Sequence, residues 1–239
     1  MSHLFLIRHG QASFLSDNYD QLSENGVKQA RVLGESFASQ GVIFDSIYSG
    51  ELVRQFDTTE IVKNVYDERG INFPEIQKQA NLNEYPAEEI MTSLGKYLID
   101  NDRNAAELFK KCNSTSNESD RHRYFQKLFE LILESWVKND QQEVHLSVTW
   151  TDWSNRVRKA LKEIMADAKK GELIGVFTSG GPIGVSVQTA LEAPDMKAAE
   201  LNWRVYNCSV TKFTFNETRF TLDHFNDVSY LTSDLLTYR

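Results

Sequence analysis

The sequence predicts an α/β protein, a three-layer α/β/α sandwich with a mainly parallel central sheet. Short apolar runs alternate with amphipathic helical patterns along most of the 239 residues, which is typical of a parallel sheet covered by helices on both faces. The apolar runs HLFLIR and ELIGVFTS lead directly into glycine-containing loops, and in such folds ligands bind beyond the carboxyl ends of the strands. A polar, helix-patterned block interrupts the alternation from about residue 86 to 139.

The first third of the chain is predicted to contain three strands and two helices. HLFLIR is the first strand, and Ser23 is the predicted N-cap of the first helix, which Gly41 ends. The apolar face of this helix consists of Val27, Ala30, Leu33 and Phe37. VIFDSIYSG follows as the second strand, residues 51 to about 66 as the second helix, and INFPEIQ as a short strand.

The remainder is predicted to contain the insertion, two more helices and three strands. The pattern DWSNRVRKALKEIMADAKKG predicts a helix, and ELIGVFTS predicts the next buried strand. Pro182 occupies a favoured position for proline at the start of the following helix. SVTKFTF and RFTLDHF are the last predicted strands. We therefore predict a single domain over residues 1–239, with a helical insertion at about 86–139 that forms a cap.

Composition and charge disfavour several classes of partner. The net charge of −8 disfavours binding to nucleic acid or to an anionic membrane. No apolar run approaches the length of a membrane span, and two cysteines in a chain of this length fit a reducing compartment, hence a cytoplasmic protein. Histidine clusters with metal-ligand spacing are absent from the sequence, so we predict no catalytic metal and no cofactor.

The stretch IRHGQ places a cation and an imidazole together at the end of the first strand. The fork of Arg8 suits a phosphoryl group because it donates two parallel hydrogen bonds. A neutral imidazole at His9 can attack phosphorus, and Gly10 allows a tight turn and close approach of a ligand. The alternative is that Arg8 is a surface charge and His9 a structural loop histidine, because a three-residue motif has low specificity.

Further segments follow RHG in a recognisable order: YDQLSENGVKQARVLG, FDSIYSGELVRQFDTTE, LNEYPAEE, NCSVTKFTF and FNDVSYL. Together they resemble the histidine phosphatase superfamily, also called the phosphoglycerate mutase-like family. The similarity spans nearly the whole chain apart from the insertion, which makes it much more specific than RHG alone.

The resemblance implies roles for four residues. His9 would be the nucleophile that takes the phosphoryl group, and Arg8 and Arg54 would bind that group. Glu84 would donate a proton to the leaving oxygen. These roles agree with general chemistry, because a phosphohistidine splits the transfer into two easier steps and arginines neutralise the phosphoryl oxygens. The alternative for Arg54 is a solvated charge on a helix.

Two roles, those of the proton donor and of the phosphate-binding residues, have further candidates in the sequence. Glu88 and Glu89 lie close to Glu84 in sequence and compete with it for the role of proton donor. Asn18, in the loop after RHG, is a further candidate for binding phosphate.

Ser179 departs from the family pattern. The family has a second histidine in a strand-end motif followed by glycine, and aligning the glycines of FTSGGPI places Ser179 on that histidine position. With Gly180 it is a candidate for binding substrate, through a neutral hydrogen bond and backbone amides at a helix N-terminus.

The departure at Ser179 leaves other hypotheses open. In a second hypothesis the chain binds a phosphorylated ligand without turnover. A serine nucleophile is disfavoured because Phe177 replaces the first glycine of the G-x-S-x-G elbow, and helix capping is a structural alternative.

The sequence thus predicts a metal-independent phosphatase that acts through a phosphohistidine on a small phosphorylated substrate. Inorganic phosphate is the other expected ligand, and neither nucleic acid nor a membrane is expected as a partner. The alternatives are a phosphotransferase of the phosphoglycerate mutase type and a catalytically impaired protein that binds a phospholigand.

Overall fold

The computed structural model describes residues 1–13, 20–140 and 143–238. The strands are β1 (Ser2–Arg8), β2 (Ser46–Ser49), β3 (Ile76–Lys78), β4 (Leu173–Thr178), β5 (Val210–Phe215) and β6 (Phe220–Asp227). The α-helices are α1 (Glu24–Ser39), α2 (Val53–Glu68), α3 (Ala87–Ile90), α4 (Lys96–Asn101), α5 (Arg103–Ser114), α6 (Glu118–Lys138), α7 (Trp150–Asp167), α8 (Gly180–Ala190) and α9 (Met196–Asn202). In these ranges, no helix combines the length and the apolar character needed to cross a membrane.

The six strands form one sheet in the order β3-β2-β4-β1-β5-β6. β3, β2, β4 and β1 are parallel to one another, and β5 pairs antiparallel with both β1 and β6. The predicted α/β class and the mainly parallel sheet are confirmed. A core cluster beside β1, β2 and β4 contains buried side chains of all three strands and of α1 and α2: Ile7, Ile47, Phe177, Leu33 and Val62.

Helix α1 begins as predicted but presents a different face to the core. The Ser23 hydroxyl caps it by accepting a hydrogen bond from Gly26 N at 3.1 Å. Val27 was predicted to be buried, and this prediction is wrong because the side chain is 45% exposed. Gln29 is buried instead, since its amide oxygen accepts from Gln11 N at 2.8 Å and so meets the hydrogen-bonding requirement of a buried polar group.

The strand register brings the predicted loops to one edge of the sheet. β1 and β4 are neighbours, with Arg8 opposite Thr178, and the amide of His9 continues the ladder by donating to Thr178 O at 2.9 Å. His9 and Ser179 are therefore the first residues beyond adjacent parallel strands. On the other side of β4, Gly50 N donates to Phe177 O at 3.0 Å, so the loop after β2 starts beside them.

Gly10 lies where two backbone segments approach closely. A Cβ atom at this position would be 2.5 Å from the carbonyl oxygen of Gly26, a distance that no side chain permits. The residue that follows His9 must therefore be glycine for the loop to pack against the start of α1.

The described residues of the segment Tyr85–Asn155 form a second compact unit, built from α3, α4, α5, α6 and the start of α7. Its centre is a cluster of aromatic rings with centroids 5.3–5.9 Å apart. The members are Tyr85, Trp136, Trp150 and Trp153. The helical insertion predicted at about 86–139 falls inside this unit, and its role as a cap stays a prediction.

Candidate active site

His9 is held in a single tautomer by its two ring contacts. Nδ1 is 2.7 Å from Gly10 O, and Nε2 is 3.1 Å from Arg54 Nε. A carbonyl oxygen only accepts and a guanidinium only donates. Nδ1 therefore carries the hydrogen, and Nε2 presents its lone pair. His9 is 5% exposed, so a buried nitrogen lone pair lies beside a positive charge.

The surroundings of His9 keep this imidazole neutral. Burial lowers the pKa of His9 well below its ordinary value, and the charges of Arg54 and then Arg8 lower it further. The hydrogen bond to the Gly10 carbonyl acts in the opposite direction but is the smallest influence. A neutral imidazole is the form that can attack phosphorus, and the same arginines would attract a phosphoryl group.

Arg54 is oriented by Asp20, which the sequence did not suggest. Arg54 lies in the first turn of α2, is 7% exposed, and donates from Nη1 to Asp20 Oδ1 at 2.6 Å. The other oxygen of Asp20 accepts from Val53 N at 2.9 Å. Leu52, at the N-cap of α2, forms no side-chain cap hydrogen bond. Asp20 therefore has two roles: it accepts from the Val53 amide, which has no partner within the helix, and it forms an ion pair with Arg54.

Thr58 links α2, the helix that carries Arg54, to the loop after β1. It lies one turn after Arg54, donates to Arg54 O at 2.7 Å and accepts from Gly10 N at 3.0 Å. Thr58 is fully buried. The R-x-x-x-T spacing was a usable signal for this contact, because residues four apart lie on the same face of a helix.

A second set of hydrogen bonds holds the main-chain carbonyl of His9. The His9 carbonyl accepts from Asn207 Nδ2 and from Cys208 N, each at 3.2 Å. Asn207 is fully buried, and its Oδ1 accepts from the Thr237 hydroxyl at 2.9 Å. Arg8 is anchored nearby, since its Nη1 donates to Val205 O. The loop preceding β5 and the C-terminal segment thus hold the main chain of His9 in place.

Ser179 is buried at the N-cap position of α8, but its hydroxyl does not cap the helix. The hydroxyl instead accepts a hydrogen bond from Gln55 Nε2 at 2.8 Å. The capping alternative is therefore wrong for the side chain. Gln55 follows Arg54 directly in α2 and is also fully buried, so α2 supplies neighbouring contacts to His9 and to Ser179.

Glu84 contacts the same helix start. Its Oε2 accepts from Gly181 N at 3.1 Å, which holds the carboxyl group at the first turn of α8. Glu89, one of its competitors in sequence, accepts instead from Ser147 N at 2.6 Å. Glu88 is exposed.

These contacts join most of the predicted site residues into one network. It runs from His9 to Arg54, through the adjacent Gln55 to Ser179, and through Gly180 and Gly181 to Glu84. The predicted site residue Asn18 lies outside the described residues. Across the ranges 1–13, 20–140 and 143–238, no group of three or more histidine, cysteine, aspartate or glutamate side chains is arranged to hold a metal ion.

The lowered pKa of His9 predicts how its ring titrates. We expect Nε2 to remain unprotonated, and Nδ1 protonated, when the pH is reduced from 7.5 to 6.0. The measurement is the pair of ring nitrogen chemical shifts in a ¹⁵N NMR spectrum, assigned with a His9→Gln sample. Arg54→Ala should raise the pKa of His9, because the variant removes a positive charge that opposes protonation.

The lowered pKa of His9 also makes the stability of the folded protein depend on pH. Unfolded histidine takes up a proton near pH 6.5, whereas native His9 resists it, so this group lowers stability as pH falls below about 6.5 and has no effect above it. Between pH 7.5 and 5.5, wild type should lose up to about 1.4 kcal/mol more unfolding free energy than His9→Gln. Equal losses in urea unfolding would contradict the lowered pKa.

The family model of the histidine phosphatase superfamily (branch 1) matches residues 4–118 and 87–228. These matches cover most of the sequence, and the chain belongs to this superfamily. The predicted family is thereby confirmed.

Curated relatives are similar over a limited part of the chain. A 2,3-bisphosphoglycerate-dependent phosphoglycerate mutase of Bradyrhizobium diazoefficiens is 31% identical over 74 residues, which are 28% of this chain and 36% of the mutase. A mutase of the same name from Parvibaculum lavamentivorans is 33% identical over 87 residues, 34% of this chain and 40% of the mutase. The chain thus matches well under half of the length of these relatives.

Solved structures share the fold over nearly the whole chain. Phosphoserine phosphatase of Entamoeba histolytica, solved in complex with 3-phosphoglyceric acid, has a TM-score of 0.63 and 18% identity, covering 97% of this chain and 100% of that one. Phosphoglycerate mutase of Bacillus anthracis has a TM-score of 0.62 and 20% identity, covering 96% and 94%. At these identities the similarity establishes the fold.

Proposed function

We propose that the protein is a phosphatase that hydrolyses small phosphate monoesters through a phosphohistidine at His9. One observation carries the proposal: the Nε2 lone pair of a buried, neutral His9 lies 3.1 Å from the Nε of a buried arginine, Arg54. A nucleophile and a cation in contact form a minimal site for phosphoryl transfer, because the arginine neutralises oxygens that gain charge in the transition state.

In the first step, Arg54 Nε shifts its hydrogen bond from His9 Nε2 to a phosphoryl oxygen, and the released Nε2 lone pair attacks phosphorus. The P–N bond forms as the bond between phosphorus and the ester oxygen breaks, and the electron pair of that bond stays on the leaving oxygen. Arg8 and Arg54 bind the phosphoryl oxygens. Glu84, in its protonated form, transfers its proton to the leaving oxygen, which departs as an alcohol.

In the second step, water attacks the phosphohistidine. Glu84, now a carboxylate, accepts a proton from that water while the P–N bond breaks and its electron pair returns to Nε2. Inorganic phosphate leaves, and the starting protonation states are restored. The steps need no metal or cofactor.

Two alternatives have specific support. The curated relatives include phosphoglycerate mutases, which favours a phosphotransferase that returns the phosphoryl group to a second hydroxyl. Ser179 in place of a second histidine would supply a neutral donor, which is weaker than a charged one, and this favours a protein that binds a phospholigand with little turnover. We prefer hydrolysis, because nothing in the sequence marks a site dedicated to two phosphorylated forms of one substrate.

The role of Glu84 provides the test of this function. Wild type should release phosphate from a panel of phosphate monoesters in the presence of a metal chelator. In the first turnover, Glu84→Gln should slow release of the alcohol from alkyl phosphates roughly 100-fold but should slow release of p-nitrophenolate much less, because p-nitrophenolate leaves without a proton. Phosphate release and alcohol release are measured separately, so transfer to a second hydroxyl is detected as alcohol without phosphate.

Glu88→Gln is the matched control, since this exposed neighbour should leave both rates unchanged. Absence of turnover across the panel, with phosphate still bound, would favour the phospholigand-binding alternative. An equal loss in the first-turnover rate on both kinds of ester in Glu84→Gln would remove Glu84 from the role of proton donor.

A further inference from the structure

We infer that Gln55 is a positioning residue that holds the Ser179 hydroxyl as a hydrogen-bond donor to the phosphoryl group. The inference rests on the proposed function and extends it to Gln55, a residue to which the family resemblance gave no role. It starts from one contact, in which Gln55 Nε2 donates to Ser179 Oγ at 2.8 Å with both residues fully buried.

The orientation of the Gln55 carboxamide is determined by its other neighbours. Nε2 also lies 3.3 Å from Leu82 O, a carbonyl that only accepts, and Oε1 lies 3.3 Å from Leu52 N, an amide that only donates. The assignment of nitrogen and oxygen therefore has support on both sides. Both amide hydrogens of Gln55 are used, one of them on Ser179.

The carboxamide is also confined by its fit. A Cβ atom at Gly50 would lie 1.9 Å from Gln55 Oε1, so Gln55 occupies space that exists only because residue 50 is glycine. Gly50 is the first residue after β2, at the same sheet edge as the loop of His9. The carboxamide is thus seated between the loop after β2 and the loop after β4.

The Ser179 hydroxyl has no structural use for its own hydrogen. An N-cap side chain accepts from the amide at the second or third helical position. In α8 these positions are Gly181, whose amide donates to Glu84, and Pro182, which has no amide hydrogen. Within the part of the chain that the structure describes, no group accepts the hydrogen of Ser179.

A serine hydroxyl donates one hydrogen and accepts at two lone pairs. Since Gln55 occupies a lone pair of Ser179, the hydroxyl hydrogen must turn away from Gln55. Ser179 and His9 are the first residues beyond adjacent parallel strands, so a phosphoryl group on His9 is the acceptor that this arrangement suits. Gln55 and Ser179 would then act as a unit, with a neutral hydroxyl in place of a charged donor.

A double-mutant cycle tests this coupling. Gln55→Met keeps the length of the side chain and removes its donor, and Ser179→Ala removes the hydroxyl. We expect each single variant to lower kcat roughly 10-fold to 100-fold, with a much smaller change in KM, because the bond strengthens as charge develops. The double variant should be no slower than the slower single variant.

Gln188→Met is the matched control, because Gln188 is a buried glutamine of α8 that bonds Ala193 O and should leave kcat unchanged. Additive losses in the cycle, or losses confined to KM, would overturn the inference while leaving the proposed function intact. A wild type that neither binds phosphate nor turns over would overturn both.

A larger side chain at position 179 provides an independent test of whether Gln55 confines this position. Ser179 is fully buried against Gln55, so Ser179→His alone should lower the midpoint of thermal unfolding and reduce turnover. Combining it with Gln55→Ala provides space for the imidazole, and the pair should fold and turn over faster than Gln55→Ala alone. A single Ser179→His variant with the stability and turnover of wild type would show that Gln55 does not confine this position.

Discussion

Replacing His9 with glutamine is expected to reduce turnover of every phosphate ester by at least roughly 10⁴-fold. Glutamine is close to histidine in size, and its amide oxygen can still accept from Arg54 Nε in place of His9 Nε2. It has no nitrogen lone pair that attacks phosphorus, so the covalent intermediate cannot form. The measurement is kcat/KM on the ester that wild type turns over fastest.

The control for this variant is His224→Gln, because His224 is an exposed histidine on β6 and should retain full activity. Unfolding curves establish that His9→Gln is folded. Turnover of folded His9→Gln within tenfold of wild type would show that His9 is not the nucleophile.

Arg54→Ala is expected to have the second largest effect, a loss in kcat/KM of roughly 10³-fold. The variant removes a charge that would neutralise the transferring group and leaves the Asp20 carboxylate, now without Arg54 Nη1, beside an anionic substrate. It also raises the pKa of His9 from its lowered position, so activity should decline more steeply below neutral pH than in wild type.

Two comparison variants separate charge from geometry. Arg54→Lys restores one positive charge, but a single ammonium cannot reproduce the separate contacts of Nε with His9 and Nη1 with Asp20. Its activity should fall between those of wild type and Arg54→Ala. Arg31→Ala, which removes an exposed arginine paired with Glu68, should change kcat/KM less than twofold. If Arg54→Ala and Arg31→Ala have the same activity, Arg54 does not bind the phosphoryl group.

The fold was predictable because its signals are local. Buried parallel strands are continuous apolar runs, and both HLFLIR and ELIGVFTS were placed correctly for this reason. The burial of Gln29 in place of Val27 was not predictable, because it depends on hydrogen bonds that Gln29 makes to Gln11 and to the distant Leu235. Strand order likewise depends on contacts between segments far apart in sequence.

The candidate site divides in the same way. Arg8, His9 and Arg54 were identified from short motifs, because each motif combines chemistry with a fixed backbone position. Gln55 was not, because its significance lies in a contact with Ser179, 124 positions away. The capping hypothesis for Ser179 failed because, of the two positions that an N-cap side chain reaches, Gly181 donates its amide to Glu84 and Pro182 has no amide hydrogen.

The position of the phosphoryl group on the histidine ring is the most direct test of the central claim. Wild type is mixed with a turned-over ester, quenched at alkaline pH within milliseconds, digested and analysed by ³¹P NMR and mass spectrometry. Since Nδ1 carries the hydrogen bonded to Gly10 O and Nε2 carries the lone pair, which accepts from Arg54 Nε, we predict acid-labile phosphate on Nε2 of His9 and none in His9→Gln. Phosphate on Nδ1, on Ser179, or on no residue of an enzyme that turns over would contradict it.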